Sequence, residues 1–166
     1  MQYFNAVLRP DIEFSKRAVE FVDKNLKGKA EGYCLSDKVL PHVTLCQFKA
    51  AEVPDLSFDN IQKAPDMMSY NVRKSDGIDD GYVWVEILVD PEAWLHHLHT
   101  YTKNKLDAHE VEILTIDYVP HLTLCRAPIA QESDIKQLDF PDDLLASQVE
   151  WKFEIGQSDI NGQYFG

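Results

Sequence analysis

The chain contains the stretch Pro41-His42-Val43-Thr44-Leu45-Cys46 and, further on, the stretch Pro120-His121-Leu122-Thr123-Leu124-Cys125. The two copies differ over six positions only by Val in place of Leu. Each copy alternates polar and apolar residues, and successive side chains of a β-strand point to opposite faces of a sheet. We therefore predict two matching strands, each with its apolar residues in a core and its His and Thr on an open face.

Each copy presents an imidazole and a hydroxyl on that open face. His42 and Thr44, like His121 and Thr123, should lie about 7 Å apart along their strand. Histidine has a reference pKa of about 6.5, so near neutral pH one ring can accept a proton while another donates one. A threonine hydroxyl can donate to an oxygen that gains negative charge. If the fold brings the copies together, the site suits cleavage of a phosphoester without a metal or another cofactor.

The paired His-x-Thr strands resemble the motifs of the two-histidine (2H) phosphoesterase superfamily, which includes RNA 2′-5′ ligase-like proteins and cyclic nucleotide phosphodiesterases. The resemblance implies one α+β domain over residues 1–166, with two duplicated lobes, antiparallel sheets around a central cleft and helices on the outer faces. It also implies metal-independent chemistry on 2′,3′-cyclic phosphates, or on related 2′-5′ and ADP-ribose cyclic phosphate linkages. The catalytic residues carried over are His42, Thr44, His121 and Thr123.

The sequence leaves the roles of the two histidines open. Either His42 or His121 can activate water, because the choice depends on how a substrate lies between them. Our prediction is a cyclic nucleotide phosphodiesterase. The alternatives are RNA end joining of the 2′-5′ ligase type, which is the same chemistry in reverse, and a nucleotide-binding module without catalysis.

Three residues on other predicted strands are candidates for substrate binding. Asn5 belongs to the first predicted strand, 3–8, which often borders the site in the resembled family; a structural role is the alternative. Tyr82 and Trp84 share one face of the predicted strand 82–89. If that face looks into the cleft, either ring would stack on a nucleobase, a contact of roughly 1–3 kcal/mol. Packing beneath a helix is the alternative for this aromatic pair.

Arg126, directly after the second motif, is a further candidate. A basic residue follows the second motif in many members of the resembled family, and a planar guanidinium suits phosphate. Strict alternation would point Arg126 away from His121, so this use requires the strand to end or twist by Cys125. The first copy has Gln47 at the equivalent position, which indicates that the two halves of the site handle different parts of a ligand.

The cysteines and a histidine-rich run are the other reactive groups. Cys46 and Cys125 occupy matched positions on the predicted face of the His and Thr, so we expect them to line the cleft floor as inert thiols rather than nucleophiles. The run His96-His97-x-His99 lies mostly off the apolar stripe of its predicted helix. No partner is spaced to complete a zinc site, so we interpret these histidines as solvated and predict no metal.

Composition favours a protein that acts on small substrates. The chain has 45% hydrophobic and 27% charged residues, as expected for a globular protein, and its net charge of −12 is poorly suited to gripping a long nucleic acid. We expect the partner to be a small nucleotide or an RNA 3′ end with a cyclic phosphate. Three cysteines without ligand-like spacing, no leader and no membrane-spanning run favour a cytoplasmic protein, which we expect to be a monomer.

The remaining pattern indicates a duplicated α+β order rather than alternating parallel units. Strands are predicted at 3–8, 42–48, 70–73, 82–89 and 149–155, with some strand character at 110–118. Helices are predicted at 10–28, at 57–63, at 90–107 with Asp90 as N-cap, and at 131–138. Turn signals occur at 75–81 and at Asn161-Gly162.

Overall fold

The computed structural model describes residues 1–56, 64–75, 81–115, 117–145 and 149–166. The strands are β1 (Gln2–Pro10), β2 (Val43–Ala50), β3 (Met67–Lys74), β4 (Tyr82–Val89), β5 (Glu112–Ile113), β6 (His121–Pro128) and β7 (Trp151–Ser158). The helices are α1 (Ile12–Asn25), α2 (Ala93–Asp107) and α3 (Glu132–Lys136), with short 3-10 turns at Ile129–Gln131 and Asp142–Leu144. The predicted α+β class is confirmed.

All the described strand pairs are antiparallel, and they join into one continuous sheet. The strand order is β3-β4-β6-β2-β1-β7, and β5 also pairs with β2. We expected separate sheets for two lobes. The structure instead links the two sets of strands through the register pair of Val43 in β2 with Leu122 in β6. The two motif strands are therefore neighbours at the centre of the sheet.

The sheet has the same connectivity on either side of its centre. In one half, β1 leads through α1 to the motif strand β2, and β7 lies outside β1. In the other half, β4 leads through α2 to the motif strand β6, and β3 lies outside β4. Helix α1 packs against β6 and helix α2 packs against β2, so each helix supports the motif strand of the other half.

The helix boundaries follow from their caps. Asp11 is the N-cap of α1, because its carboxylate accepts a hydrogen bond from the amide of Phe14 at 2.8 Å. The predicted N-cap of α2 at Asp90 is wrong, since the N-cap is Glu92. The amide of Asp90 instead donates to the carbonyl of Asp66, which keeps this residue in an extended connection.

Other predicted elements are present with shifted ends. The segment predicted as a helix at 131–138 contains α3, and the strand predicted at 149–155 begins at Trp151. The turn at Asn161-Gly162 is confirmed, with Gly162 at φ +79°, a conformation that favours glycine. The predicted helix at 57–63 and most of the turn at 75–81 lie outside the described residues. Within the described ranges, no helix combines the length and the apolar character needed to cross a membrane.

Candidate active site

A cavity of about 200 Å³ opens where the two motif strands meet. Its lining includes His42, Thr44, His121 and Thr123, together with Asn5. Because β2 and β6 are antiparallel and pair at Val43 and Leu122, the register places His42 beside Thr123 and Thr44 beside His121. The structure thus brings all four predicted catalytic side chains to one cavity.

The two imidazoles are held by the same backbone arrangement. Nδ1 of His42 is 2.8 Å from the carbonyl oxygen of Leu40, and Nδ1 of His121 is 2.7 Å from the carbonyl oxygen of Val119. A carbonyl oxygen only accepts hydrogen bonds, so Nδ1 carries the proton in both rings. Nε2 is therefore the nitrogen that each ring has available for a ligand in the cavity.

The surroundings of His42 favour its neutral form. The residue is 5% exposed, and its ring packs against Tyr164 with a centroid distance of 5.4 Å. Burial lowers the pKa of His42 to about 4, against the opposing effect of hydrogen bonds with the backbone of Leu40 and Gly162, and the positive charges of His121 and Arg9 lower this pKa further. His42 is therefore a neutral proton acceptor at pH 7.

The surroundings of His121 differ in exposure and in charge. Its side chain is 33% exposed, and its Nε2 lies 4.0 Å from a carboxylate oxygen of Glu86, whose side chain is 2% exposed. Asn71 and Arg73 donate hydrogen bonds to the same carboxylate. Sequence analysis missed Glu86 as a site residue, although its position on the Tyr82–Trp84 face of β4 was visible in the alternation of that strand.

A β-bulge interrupts the alternation of both motif strands. In β2, Thr44 pairs with Val7 and Cys46 pairs with Ala6, so Leu45 is the extra residue. In β6, Thr123 pairs with Glu86 and Cys125 pairs with Val85, so Leu124 is the extra residue. Each bulge reverses the faces of the residues that follow it.

The bulges overturn the expected position of the cysteines. Cys46 and Cys125 are both fully buried and do not belong to the cavity lining. The sulfur of Cys46 instead lies 3.6 Å from Nδ1 of His99 on helix α2. Burial raises the pKa of each thiol to about 12, as expected for thiols packed on the helix side of the sheet.

The same reversal turns Gln47 and Arg126 to the face of the histidines. Gln47 lines the cavity, and its side-chain amide donates to the carbonyl of Asp159 at 2.8 Å. Arg126 does not line the cavity, because its guanidinium lies over the ring of Tyr82, 3.6 Å from the centroid. Arg126 thus points to the same face of the sheet as His121, as a phosphate clamp would require. Its guanidinium, however, lies over the ring of Tyr82 instead of in the cavity.

The aromatic candidates also lie beside the cavity rather than in it. The hydroxyl of Tyr82 donates to Glu31 at 3.3 Å. The indole nitrogen of Trp84 donates to Ser75 at 3.2 Å, and its ring meets Tyr33 edge-on at 5.8 Å. Of these aromatic residues only Tyr33 lines the cavity, so this ring separates Trp84 from a ligand there.

Asn5 is the one predicted binding residue outside the motifs that lines the cavity. It is fully buried, and its side-chain amide donates to the carbonyl of Gly162 at 3.0 Å. This bond fixes the amide orientation, since the carbonyl accepts only from nitrogen. The side-chain oxygen of Asn5 is buried and has no hydrogen-bond partner among the described residues.

Much of the remaining cavity wall comes from irregular segments that sequence analysis did not single out. These wall residues include Tyr33, Thr115, Asp117, Tyr118 and Asn161. The motif strands β2 and β6 pair directly only at Val43 and Leu122. Farther along each strand, the irregular segments take the place of the other motif strand and are held by backbone hydrogen bonds. One pairing joins the amide of Leu35 to the carbonyl of Leu124, and another joins the amide of Leu114 to the carbonyl of Gln47.

One of the histidines interpreted as solvated supports this wall. Nδ1 of His99 donates to the carbonyl of Leu45, the bulge residue of β2, at 2.6 Å. The ring of His99 also stacks on Tyr118 at 4.2 Å. His96 and His97 are exposed, as expected. Among the described residues, no group of three or more His, Cys, Asp or Glu is arranged to hold a metal ion.

The likeness to the 2H phosphoesterases is carried by the two motifs. Comparisons of the chain with models of protein families, with curated proteins and with solved structures find no match. Membership of the 2H superfamily therefore stays a prediction based on the motif residues.

Proposed function

We propose that the protein is a metal-independent phosphodiesterase of the 2H type, which hydrolyses the 2′,3′-cyclic phosphate of a nucleotide or an RNA end to a phosphomonoester. The observation that supports this function best is the pair of imidazoles in one cavity, each with Nδ1 bonded to a carbonyl and each beside a threonine. Two such rings supply the acid and the base that hydrolysis of a phosphodiester requires.

The different surroundings of the two rings give them different roles. His42, neutral because it is buried, accepts a proton at Nε2 from the attacking water. The water oxygen bonds to phosphorus, and the bond from phosphorus to the ribose oxygen breaks. His121, whose Nε2 faces the Glu86 carboxylate, donates a proton to that leaving oxygen. The hydroxyls of Thr44 and Thr123 donate to the non-bridging oxygens, where negative charge must be held.

The charge of the lining suits a phosphodiester monoanion. Among the described residues that line the cavity none is Lys or Arg, and Asp117 is one of them. Binding then depends on hydroxyls, amides and imidazoles rather than on a cluster of cationic side chains, which favours a monoanion over a dianion. The phosphomonoester product carries up to two charges and is held less well, so product release is favoured.

The size of the cavity and the charge of the chain suit a small ligand. About 200 Å³ is enough for a phosphate and part of its ribose, and a net charge of −12 weakens association with long nucleic acids. We therefore infer that mononucleotides and RNA 3′ ends are the substrates. We also propose that the protein works as a monomer in the cytoplasm, where its three free thiols stay reduced.

The test is hydrolysis of 2′,3′-cyclic nucleotides by the purified protein in the presence of EDTA. We expect turnover that the chelator does not reduce, and a loss of at least 100-fold in both His42→Ala and His121→Ala, from the usual contribution of acid-base groups. The matched control is His97→Ala, because His97 is an exposed histidine on α2. This variant should keep full activity. Binding without turnover would instead support a nucleotide-binding module, and joining of RNA ends without hydrolysis would support a ligase.

A further inference from the structure

The two halves of the site differ at one pair of equivalent positions. Val7 is the strand partner of Thr44, and Glu86 is the strand partner of Thr123. In both halves the bulge begins directly beside this position, so the two residues correspond in register. Val7 is fully buried and Glu86 is 2% exposed. One histidine therefore has a buried valine on the neighbouring strand where the other has a buried carboxylate.

The carboxylate of Glu86 is held in a fixed position. It accepts hydrogen bonds from Asn71 at 3.0 Å and from the guanidinium of Arg73 at 3.2 and 3.4 Å, both on β3. From β6, Nε2 of His121 faces it at 4.0 Å. Arg73 has a side chain that is 47% exposed, so solvent screens its charge more than that of the buried carboxylate.

The charged groups around His121 come from several elements. Glu86 faces it from β4 and is itself paired with Arg73 of β3. The other titratable groups that line the cavity are His42, beside β2, Asp117, an exposed residue of the segment before β6, and the phenols of Tyr33 and Tyr118, whose pKa values are raised by burial. Of the two carboxylates, Glu86 is fixed by hydrogen bonds from Asn71 and Arg73 and has an oxygen 4.0 Å from Nε2 of His121, so it is the group best placed to stabilise a proton there.

We propose that Glu86 is a positioning residue that retains the proton on Nε2 of His121 and thereby makes His121 the acid and His42 the base. The inference rests on the proposed function, because it assigns roles within that reaction. The carboxylate attracts the proton to the ring that must donate it, whereas Val7 provides no charge near His42. The carboxylate of Glu86 beside His121 and the burial of His42 therefore act together to set the direction of proton transfer.

Two substitutions with opposite electrostatic effects test this role. Glu86→Gln keeps the shape and an acceptor oxygen but removes the negative charge. Arg73→Gln keeps the carboxylate and removes its positive partner. We expect the alkaline limb of the profile of kcat/KM against pH to move to lower pH in Glu86→Gln and to higher pH in Arg73→Gln. We also expect Glu86→Gln to lower kcat/KM about tenfold at pH 7, chiefly through kcat.

A third variant and a second readout separate this role from a structural one. Lys74→Gln removes a positive charge from β3, the strand that also carries Arg73. The side chain of Lys74 is 63% exposed and pairs with Glu132, so the profile of kcat/KM against pH should not move. The imidazole resonances of His121, followed by NMR across the same pH range, should show the same opposite displacements in Glu86→Gln and Arg73→Gln. Thermal unfolding of each variant shows whether the fold is intact.

The outcomes distinguish this inference from the proposed function. If the wild-type protein hydrolyses cyclic phosphates but the two variants move the limb in the same direction, or not at all, the role of Glu86 is wrong. If the wild-type protein does not hydrolyse them, the proposed function fails, and NMR alone decides whether Glu86 retains the proton on His121. If Glu86→Gln does not fold, Arg73→Gln still decides, because an unmoved profile and unmoved His121 resonances would overturn the role.

Discussion

His42 and His121 hold their rings through the same bond, from Nδ1 to the carbonyl oxygen of the residue two positions earlier, at 2.8 and 2.7 Å. The bond fixes one tautomer in both rings and leaves the same nitrogen, Nε2, for chemistry. The rings differ in what surrounds them, since His42 is 5% exposed and His121 faces a buried carboxylate. Equal geometry and unequal surroundings are what a reaction with one base and one acid requires.

The assignment of base and acid predicts a dependence on the leaving group. A p-nitrophenolate leaves without protonation, so an acid is not needed for a nucleoside p-nitrophenyl phosphodiester, while the attacking water still needs a base. We expect His121→Ala to lose about 1,000-fold with a 2′,3′-cyclic nucleotide but about tenfold or less with the p-nitrophenyl ester. His42→Ala should lose about 1,000-fold with both substrates. Steady-state kinetics check this, and the reverse pattern would exchange the two roles.

The burial of His42 predicts a dependence of stability on pH. Its pKa is about 4 in the folded protein and about 6.5 in the unfolded chain, so between these values the unfolded chain binds more protons. Stability is therefore fully present above pH 6.5 and is lost as the pH falls to 4, by on the order of 3 kcal/mol from this residue. Urea unfolding at several pH values measures the loss.

His42→Gln is the control for this pH dependence, because other groups also titrate in the same range. The difference in unfolding free energy between the wild-type protein and His42→Gln should change between pH 6.5 and 4 and stay constant above pH 7. A difference that does not depend on pH would mean that folding does not lower the pKa of His42.

The contacts of His99 predict a structural role for this residue. Its Nδ1 donates to the bulge carbonyl of Leu45, and its ring stacks on Tyr118 in the cavity wall. His99→Ala leaves a buried carbonyl without its donor, so we expect a loss of about 1–3 kcal/mol in unfolding free energy. His97→Ala on the exposed side of the same helix should change stability by less than about 0.5 kcal/mol. Equal effects of the two substitutions would contradict this role.

The close approach of the chain at Gly156 predicts a steric effect on the site. A Cβ atom at this position would lie 2.5 Å from the backbone of Gly166 and 2.8 Å from the hydroxyl of Tyr164. Tyr164 packs against His42, so Gly156→Ala should displace the tyrosine, lower stability by about 1–3 kcal/mol and reduce turnover. Gly28→Ala is the control, because no atom lies within 4 Å of the added Cβ there. Unchanged melting and turnover in Gly156→Ala would contradict the expected displacement.

The parts of the structure that sequence analysis predicted well are those with a local signal. The duplicated motif predicted two equivalent strands, and periodicity predicted α1 and β4. The four motif residues needed only alternation and the assumption that the strands meet. Asn5 came from the resembled family, and the structure places it in the cavity lining.

The parts that were missed or wrong depend on contacts between distant segments. The bulges at Leu45 and Leu124 are stabilised by His99 and by the amide of Leu35, which lie far from them in sequence. No residue in either motif indicates a bulge, so strict alternation placed Cys46 on the wrong face. Glu86 was also missed, because its significance depends on its pairing with Thr123 in another strand.

The position of the cysteines leads to a last prediction, on thiol reactivity. Burial raises the pKa of Cys46 and Cys125 to about 12, so neither forms appreciable thiolate at pH 8. Burial also raises the pKa of Cys34, but this thiol is partly exposed and accessible to a reagent. Because the thiolate is the nucleophile, iodoacetamide should modify only Cys34 in the folded protein and all three cysteines in urea, as measured by mass spectrometry. Turnover should survive treatment of the folded protein. Loss of turnover in step with modification of Cys46 or Cys125 would place these thiols in the cleft and rule out the bulges.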